Sequence, residues 1–209
     1  MKSVMWLVAT IAIAAVPVTS LRASQAPGRG TGARAGAAAA PHRSPGAGSV
    51  ILFETTKGNF EIETYPNEAP KSVDHILTLV RRNFYNGLRV HRVVPGFVVQ
   101  FGDPATRDMT KRDRWGDGGS GREIGVAEIS PKRPHKLGAV ALAHRGDPRG
   151  ADSQMYIALA GQESGQIRNI QGDYTVFGQV ISGMDVVQKL QVPDIIRRAS
   201  VKEPARGGK

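Results

Sequence analysis

Arg92, Phe97 and Gln100 lie close together in the run Val90-His91-Arg92-Val93-Val94-Pro95-Gly96-Phe97-Val98-Val99-Gln100-Phe101-Gly102-Asp103. An arginine is a permanent cation with five N–H donors. Runs of Val and Phe bounded by turn residues read as short strands, here hinged at Pro95-Gly96. On such a strand a lone arginine usually faces water. The sharper reading puts Arg92, Phe97 and Gln100 on one concave face, joining a cation, an aromatic wall and an amide. Apolar walls with a few convergent polar groups suit a ligand such as a peptide. No nucleophile, acid–base pair or phosphate cradle accompanies them, so the residues by themselves reach as far as a candidate peptide groove.

Competing motifs are weak. Gly116-Asp117-Gly118-Gly119-Ser120-Gly121 matches a bare G-x-G-x-x-G, but it lacks the preceding strand and following helix that a dinucleotide site needs, and it reads as a flexible surface loop. The five histidines, His42, His75, His91, His135 and His144, show no metal-ligand spacing, and there is no cysteine, so no metal site is expected. Arg122 breaks the G-x-S-x-G pattern around Ser120. His144 stands apart only by following an apolar strand, where binding residues often sit.

The chain has 209 residues and a formal net charge of +10. Five Lys/Arg and no acid fall in residues 1–49, and five with one Glu in 197–209, leaving eighteen against seventeen in 50–196. The basicity belongs to the ends, and no nucleic-acid partner is expected. Residues 1–26 have the pattern of a secretory signal: Lys2, an apolar run from Val4 to Val18, and Ser24-Gln25-Ala26 for cleavage. The run is short of a membrane span, although an uncleaved anchor remains the alternative. Residues 27–48, rich in Gly, Ala, Pro and Arg, read as a disordered linker. A domain is expected over 49–196 and a basic, frayed tail over 197–209.

Within the domain, Val50–Thr56 and Asn59–Tyr65 read as a hairpin, with Phe60 and Ile62 inward and Glu61 and Glu63 wet. Pro70 can begin a helix. Val73, Ile76, Leu77 and Val80 give it one apolar stripe over roughly 71–82. Residues 102–121 form a charged loop. Strands are expected at 124–129, 137–143, 153–159 and 174–181, and a second helix at 184–190. In 153–159, Met155, Ile157 and Leu159 share one side, Gln154 and Tyr156 the other. Seven or eight short strands and two helices point to an antiparallel barrel or sandwich.

His91 to Asp103 resembles the signature of cyclophilin-type peptidyl-prolyl cis-trans isomerases, in which an Arg, a Phe and a Gln recur at this spacing. Gly138 to His144, Ala151 to Ile157 and Tyr174 to Val180 also match, as do the hairpin and the helix after Ala69-Pro70-Lys71. The resemblance covers about residues 50–192. It implies a mainly β fold, a closed eight-stranded antiparallel barrel capped by two α-helices. It implies no cofactor, and proline-containing peptides and unfolded or folding proteins as partners of a monomer; the pattern of residues 1–26 adds the expectation that it is exported, periplasmic or secreted. It implies Arg92 as catalytic residue, and Phe97, Val98, Tyr156 and Ile170 as the proline pocket. Gln100 and Gln154 would hold the peptide backbone, with Ala143 and His144 beside the preceding residues. Tyr174 lies where the family often has His or Tyr. His144 replaces a common Asn and Tyr156 a common Phe. Asn169 replaces a Trp tied to cyclosporin binding, which implies weak sensitivity to that ligand. The rival within the same fold is a chaperone or scaffold that holds Pro-containing segments with little turnover.

Overall fold

The computed structural model describes residues 43–202. The expected signal, residues 27–42 of the expected linker and residues 203–209 of the expected tail lie outside the described residues. Eight strands make one antiparallel sheet: β1 (Val50–Thr55), β2 (Gly58–Thr64), β3 (Arg92–Val94), β4 (Val98–Phe101), β5 (Ala139–Leu142), β6 (Met155–Ala158), β7 (Val176–Ser182) and β8 (Ile196–Lys202). Among the described residues three α-helices accompany it, one more than expected: α1 (Pro70–Arg81), α2 (Gly165–Asn169) and α3 (Met184–Val187).

β1 and β2 pair in the expected hairpin, with Phe53 opposite Phe60 and their rings stacked at 5.0 Å. Phe101 meets both edge-on, at 5.4 and 6.5 Å. Such pairings add to the roughly 1.5–3 kcal/mol that burying each large apolar side chain contributes. The expected wet face of β2 is corrected at Glu63, which is fully buried. Its carboxylate accepts the Ser44 backbone N–H at 3.0 and 3.2 Å. Residues 43–48, assigned to the linker, therefore dock on β2, and Gly48 N–H reaches Thr64 O at 2.8 Å.

α1 buries Val73, Ile76, Leu77 and Val80 as its periodicity demands. Ala69 gives it no side-chain cap. The Glu128 carboxylate accepts the free Lys71 and Ser72 N–H groups instead, at 3.0 and 2.8 Å, filling from afar the role of an N-cap residue. At the other end Asn83 takes φ 58°. Asn83 N–H bonds Val80 O and Phe84 N–H bonds Leu79 O, at 2.9 and 3.0 Å. These are the two bonds of a Schellman stop.

Closure is the main correction. The sheet order is β3-β4-β6-β5-β7-β2-β1-β8, so β3 and β8 are edges and the barrel is open. β3 has three residues, pairs among the described residues only with β4 and ends at the Pro95-Gly96 turn. The chain just before it spans the gap: Arg89 bridges Ile195, and Ile196 N–H and Val90 N–H bond Leu88 O and Asp194 O at 2.8 and 2.9 Å. Other differences are local. Residues 124–129 form no strand, because Gly125, at φ 78°, breaks the extended run. The second expected helix shrinks to the single turn of α3, though Val187 and Leu190 are buried as expected. The tail expected from Arg197 begins instead as β8, through Lys202: Ile196 and Ala199 are buried while Arg197 and Arg198 face out.

Two apolar clusters lie on opposite faces of β6. Met155 and Ile157 join the cluster of Phe53, Phe60 and Phe101. Tyr156 and Ala158 join a second one with Tyr65, Val98, Ala141, Ile167 and Val176. The period-two alternation of a strand produces this division.

Candidate active site

The β3–β4 hairpin makes Arg92 and Gln100 register partners, which places both side chains on one face. The Arg92 side chain is exposed, and its Nη1 donates to Gln100 Oε1 at 3.3 Å. Its guanidinium carbon lies 5.7 Å from the Phe97 ring centroid, within cation–π range. Gln100 Nε2 donates onward to Gln154 Oε1 at 2.9 Å. Gln154 Nε2 then donates to the carbonyls of Gly116 and Gly118 at 2.8 and 2.7 Å. A guanidinium cannot accept and a carbonyl cannot donate, so these two ends fix the orientation of both amides.

Beside this relay lies the second apolar cluster. Val98 and Tyr156 are buried in it, and Phe97, Ala143, Ile170 and Tyr174 pack against it half-exposed. Val98 is 1 % exposed and forms the floor rather than a rim. The Tyr174 ring stands edge-on to Tyr156 at 5.5 Å. His144 Nε2 lies 2.9 Å from Asp173 O, and its ring is 4.3 Å from that of Tyr174. All the residues named from the sequence thus fall on one surface. Asn169 is exposed at the end of α2, next to Ile170.

A cavity of about 1040 Å³ adjoins the relay, lined among others by Gln100, Gln154, Ala143, His144, Gly118 and Asp147. One wall is the glycine-rich loop read from sequence as a flexible surface loop. The structure ties it down instead. Asp103 Oδ2 accepts Gly116 N–H and Gly118 N–H, the first at 2.6 Å. Asp152 accepts the Ser120 hydroxyl and Gly121 N–H, and meets His75 Nε2 at 3.0 Å. Burial pushes the Asp152 carboxyl up, but the hydrogen bonds from His75 and Ser120 outweigh it and hold it below the ordinary value. The glycines serve contact: a Cβ on Gly118 or Gly119 would fall 2.5 Å from a carboxylate oxygen of Asp103 or Asp152.

Three participants escape a reading of the sequence. The Gly116 and Gly118 carbonyls carry no side-chain signal. His135 is 1 % exposed and its Nε2 lies 2.7 Å from the Tyr156 hydroxyl. Burial pushes its imidazole below the ordinary histidine value, and pushes the Tyr156 phenol well above its own.

The arrangement has relatives. A family model described as cyclophilin type peptidyl-prolyl cis-trans isomerase/CLD matches residues 50–206. A probable peptidyl-prolyl cis-trans isomerase of Brucella abortus is 38 % identical over 159 residues, covering 75 % of this chain and 78 % of that one. A peptidyl-prolyl cis-trans isomerase of Helicobacter pylori is 34 % identical over 150 residues, covering 71 % and 83 %. Among solved structures, a Cryptosporidium parvum cyclophilin type peptidyl-prolyl cis-trans isomerase superposes with a TM-score of 0.64 at 22 % identity, over 75 % of this chain and 98 % of that one. It has also been solved in the presence of the dipeptide Ala-Pro. The family model spans all eight strands and the whole of the Arg92 surface, and the chain belongs to the cyclophilin-type peptidyl-prolyl cis-trans isomerases.

Proposed function

We propose that this chain accelerates rotation about X–Pro bonds, with Arg92 as the catalytic residue, in proteins that fold outside the cytoplasm. Amide resonance sets a barrier of about 18–20 kcal/mol, and uncatalysed X–Pro isomerisation takes tens of seconds or longer. In the twisted transition state resonance is lost and the prolyl nitrogen becomes an acceptor. A guanidinium aimed at that nitrogen bonds the transition state better than the planar ground state. Only such differential binding speeds the step. The proline ring rests on Phe97, Val98, Tyr156 and Ile170. Gln100 and Gln154 hold the peptide backbone, and the preceding residues run past Ala143 and His144, with Tyr174 at the rim. The observation that carries this reading is the exposed Arg92 guanidinium, held by Gln100 and set over the Phe97 ring.

Exchange NMR on an X–Pro peptide tests it. Wild type is expected to broaden the cis and trans signals, and Arg92→Ala to lose about 10²–10³-fold of that rate, the scale of removing one transition-state donor. Wild type that binds without changing exchange would leave the scaffold reading, and equal acceleration by both proteins would clear Arg92 of the role. Export rests on the pattern of residues 1–26 and is read by mass spectrometry. A mature chain starting near Pro27 supports it, and an intact Met1 supports an anchor. Asn169 offers cyclosporin no indole, so its binding is weak. Asn169→Trp is expected to tighten it in a fluorescence titration, and an unchanged affinity removes this position from the account.

A further inference from the structure

Tyr156 brings a hydroxyl into an apolar wall, and that hydroxyl has one partner. The side chain is 4 % exposed and its oxygen lies 2.7 Å from His135 Nε2. The two rings are nearly parallel, 9° apart with centroids at 5.9 Å, and the Tyr174 ring stands edge-on to both. Behind His135 the network is fixed. The His135 backbone N–H donates to Gln171 Oε1 at 2.9 Å, and Gln162 Nε2 donates to the same oxygen at 3.0 Å and to His135 O at 2.6 Å. A backbone N–H only donates, so the Gln171 atom facing it is the oxygen. His135 Nδ1 faces that oxygen at 3.3 Å and must carry the ring hydrogen. Nε2 is then a bare acceptor, and the Tyr156 hydroxyl donates to it. Burial favours this neutral ring.

We infer that His135 is a positioning residue for the proline pocket: by accepting the Tyr156 hydroxyl it locks the ring that forms the pocket wall, and so sets how tightly that wall takes a proline. The inference rests on the placement of proline against Tyr156 proposed above. Without His135, the buried hydroxyl must go unpaired or turn toward water, and the open side of the cluster is the pocket itself. Gln162 and Gln171 act at one remove, holding His135 in the accepting tautomer. The second apolar cluster is thus backed by a polar brace reaching from β6 to the segment ahead of β5.

A double-mutant cycle in the full chain tests this, with kcat and KM from exchange NMR on an X–Pro peptide. His135→Leu is expected to raise KM about tenfold, the scale of stranding one buried hydroxyl, with kcat changed less than about twofold. In the Tyr156→Phe background the same change is expected to move KM by less than about twofold, because no hydroxyl is left to strand. His135→Gln, whose amide oxygen can accept, restores KM to within about threefold. Equal effects in both backgrounds would reduce His135 to packing and overturn the proposal. Should His135→Leu not fold, the ¹⁵N shifts of the wild-type ring decide: a protonated Nδ1 and a bare Nε2 support it, and a protonated Nε2 overturns it. The methyl signals of Val98 and Ile170 separate this from the pocket reading. If a proline peptide leaves them unmoved, the pocket reading falls and this inference with it. If they move while the cycle is additive, the role of His135 alone falls.

Discussion

Gln100 donates its Nε2 hydrogen to Gln154 Oε1 across 2.9 Å, joining residues 54 apart in the chain. Each amide is thereby fixed at both ends, by the Arg92 guanidinium on one side and by the Gly116 and Gly118 carbonyls on the other. The exposed cation is coupled through two side chains to the loop that walls the adjoining cavity.

Gln154→Glu tests that coupling without changing size. A carboxylate cannot donate, so an anionic oxygen would face two carbonyls and the relay would break. KM for an X–Pro peptide is expected to rise about tenfold, the scale of losing paired hydrogen bonds at a partly buried site. Amide hydrogen exchange at Gly118 and Gly121, whose N–H groups bond Asp103 and Asp152, is expected to quicken. Unchanged exchange there would mean that Asp103 and Asp152 hold the loop unaided.

Gly102→Ala strikes the site through the backbone. Gly102 sits at φ 115°, and a Cβ there would lie 2.3 Å from Ser153 O and 2.8 Å from Gln154 Cα. Both neighbours are main chain, so the end of β4 or the Ser153-Gln154 segment ahead of β6 must shift. A stability loss of about 2–4 kcal/mol in urea unfolding is expected, since overpacking and a strained φ add. Activity should fall with it. A variant as stable as wild type would contradict so close an approach of the two backbone segments.

Stability should fall in mild acid. Burial keeps the His91 and His135 imidazoles below the ordinary value of 6.5, more than Asp103 and Gln154 at His91, or Gln171 and Asp173 at His135, can offset. A base with a lowered folded-state pKa binds fewer protons folded than unfolded, so stability rises with pH between the two values. The contribution is complete above about pH 6.5 and is lost progressively below it. Melting temperatures scanned from about pH 8 to about pH 5 are expected to drop on the acid side, and a flat profile would count against both assignments.

Ile196→Ala probes the seam between β3 and β8. Ile196 is fully buried and holds Leu88 O through its N–H and Gly87 N–H through its carbonyl, each at 2.8 Å. A loss of about 2–5 kcal/mol is expected from the cavity left behind. Faster amide exchange at Gly87 and Val90 would follow. If those amides keep their protection, the seam stands without the side chain.

The hairpin, α1 and the two faces of β6 were legible because each is a local periodicity read off neighbouring residues. The Arg92, Phe97 and Gln100 grouping was legible for the same reason, since one short hairpin carries all three. What the sequence hid depends on partners far along the chain. Glu63 reads as a surface acid until Ser44 docks on it. Residues 197–202 read as a charged tail because Arg197 and Arg198 mask the buried Ile196 and Ala199. The open edge at β3 lies in which strands pair across the sheet, which no local pattern reveals. His135 gains its meaning only when the sheet brings Tyr156 to it.

Val50 and Lys202 are register partners on β1 and β8, so the first and last strands of the sheet end side by side. Neighbouring strands lie about 4.8 Å apart, and antiparallel ones can be joined by a two-residue turn. A circularly permuted chain, joined there and opened at the exposed Lys111 to Asp113, would make β5 to β8 first and β1 to β4 last. It would need no new strand pairing, and if residues 43–49 are kept in the joint so that Ser44 still pairs Glu63, it is expected to fold to the same sheet; a permuted chain that fails to fold would show that strand order matters.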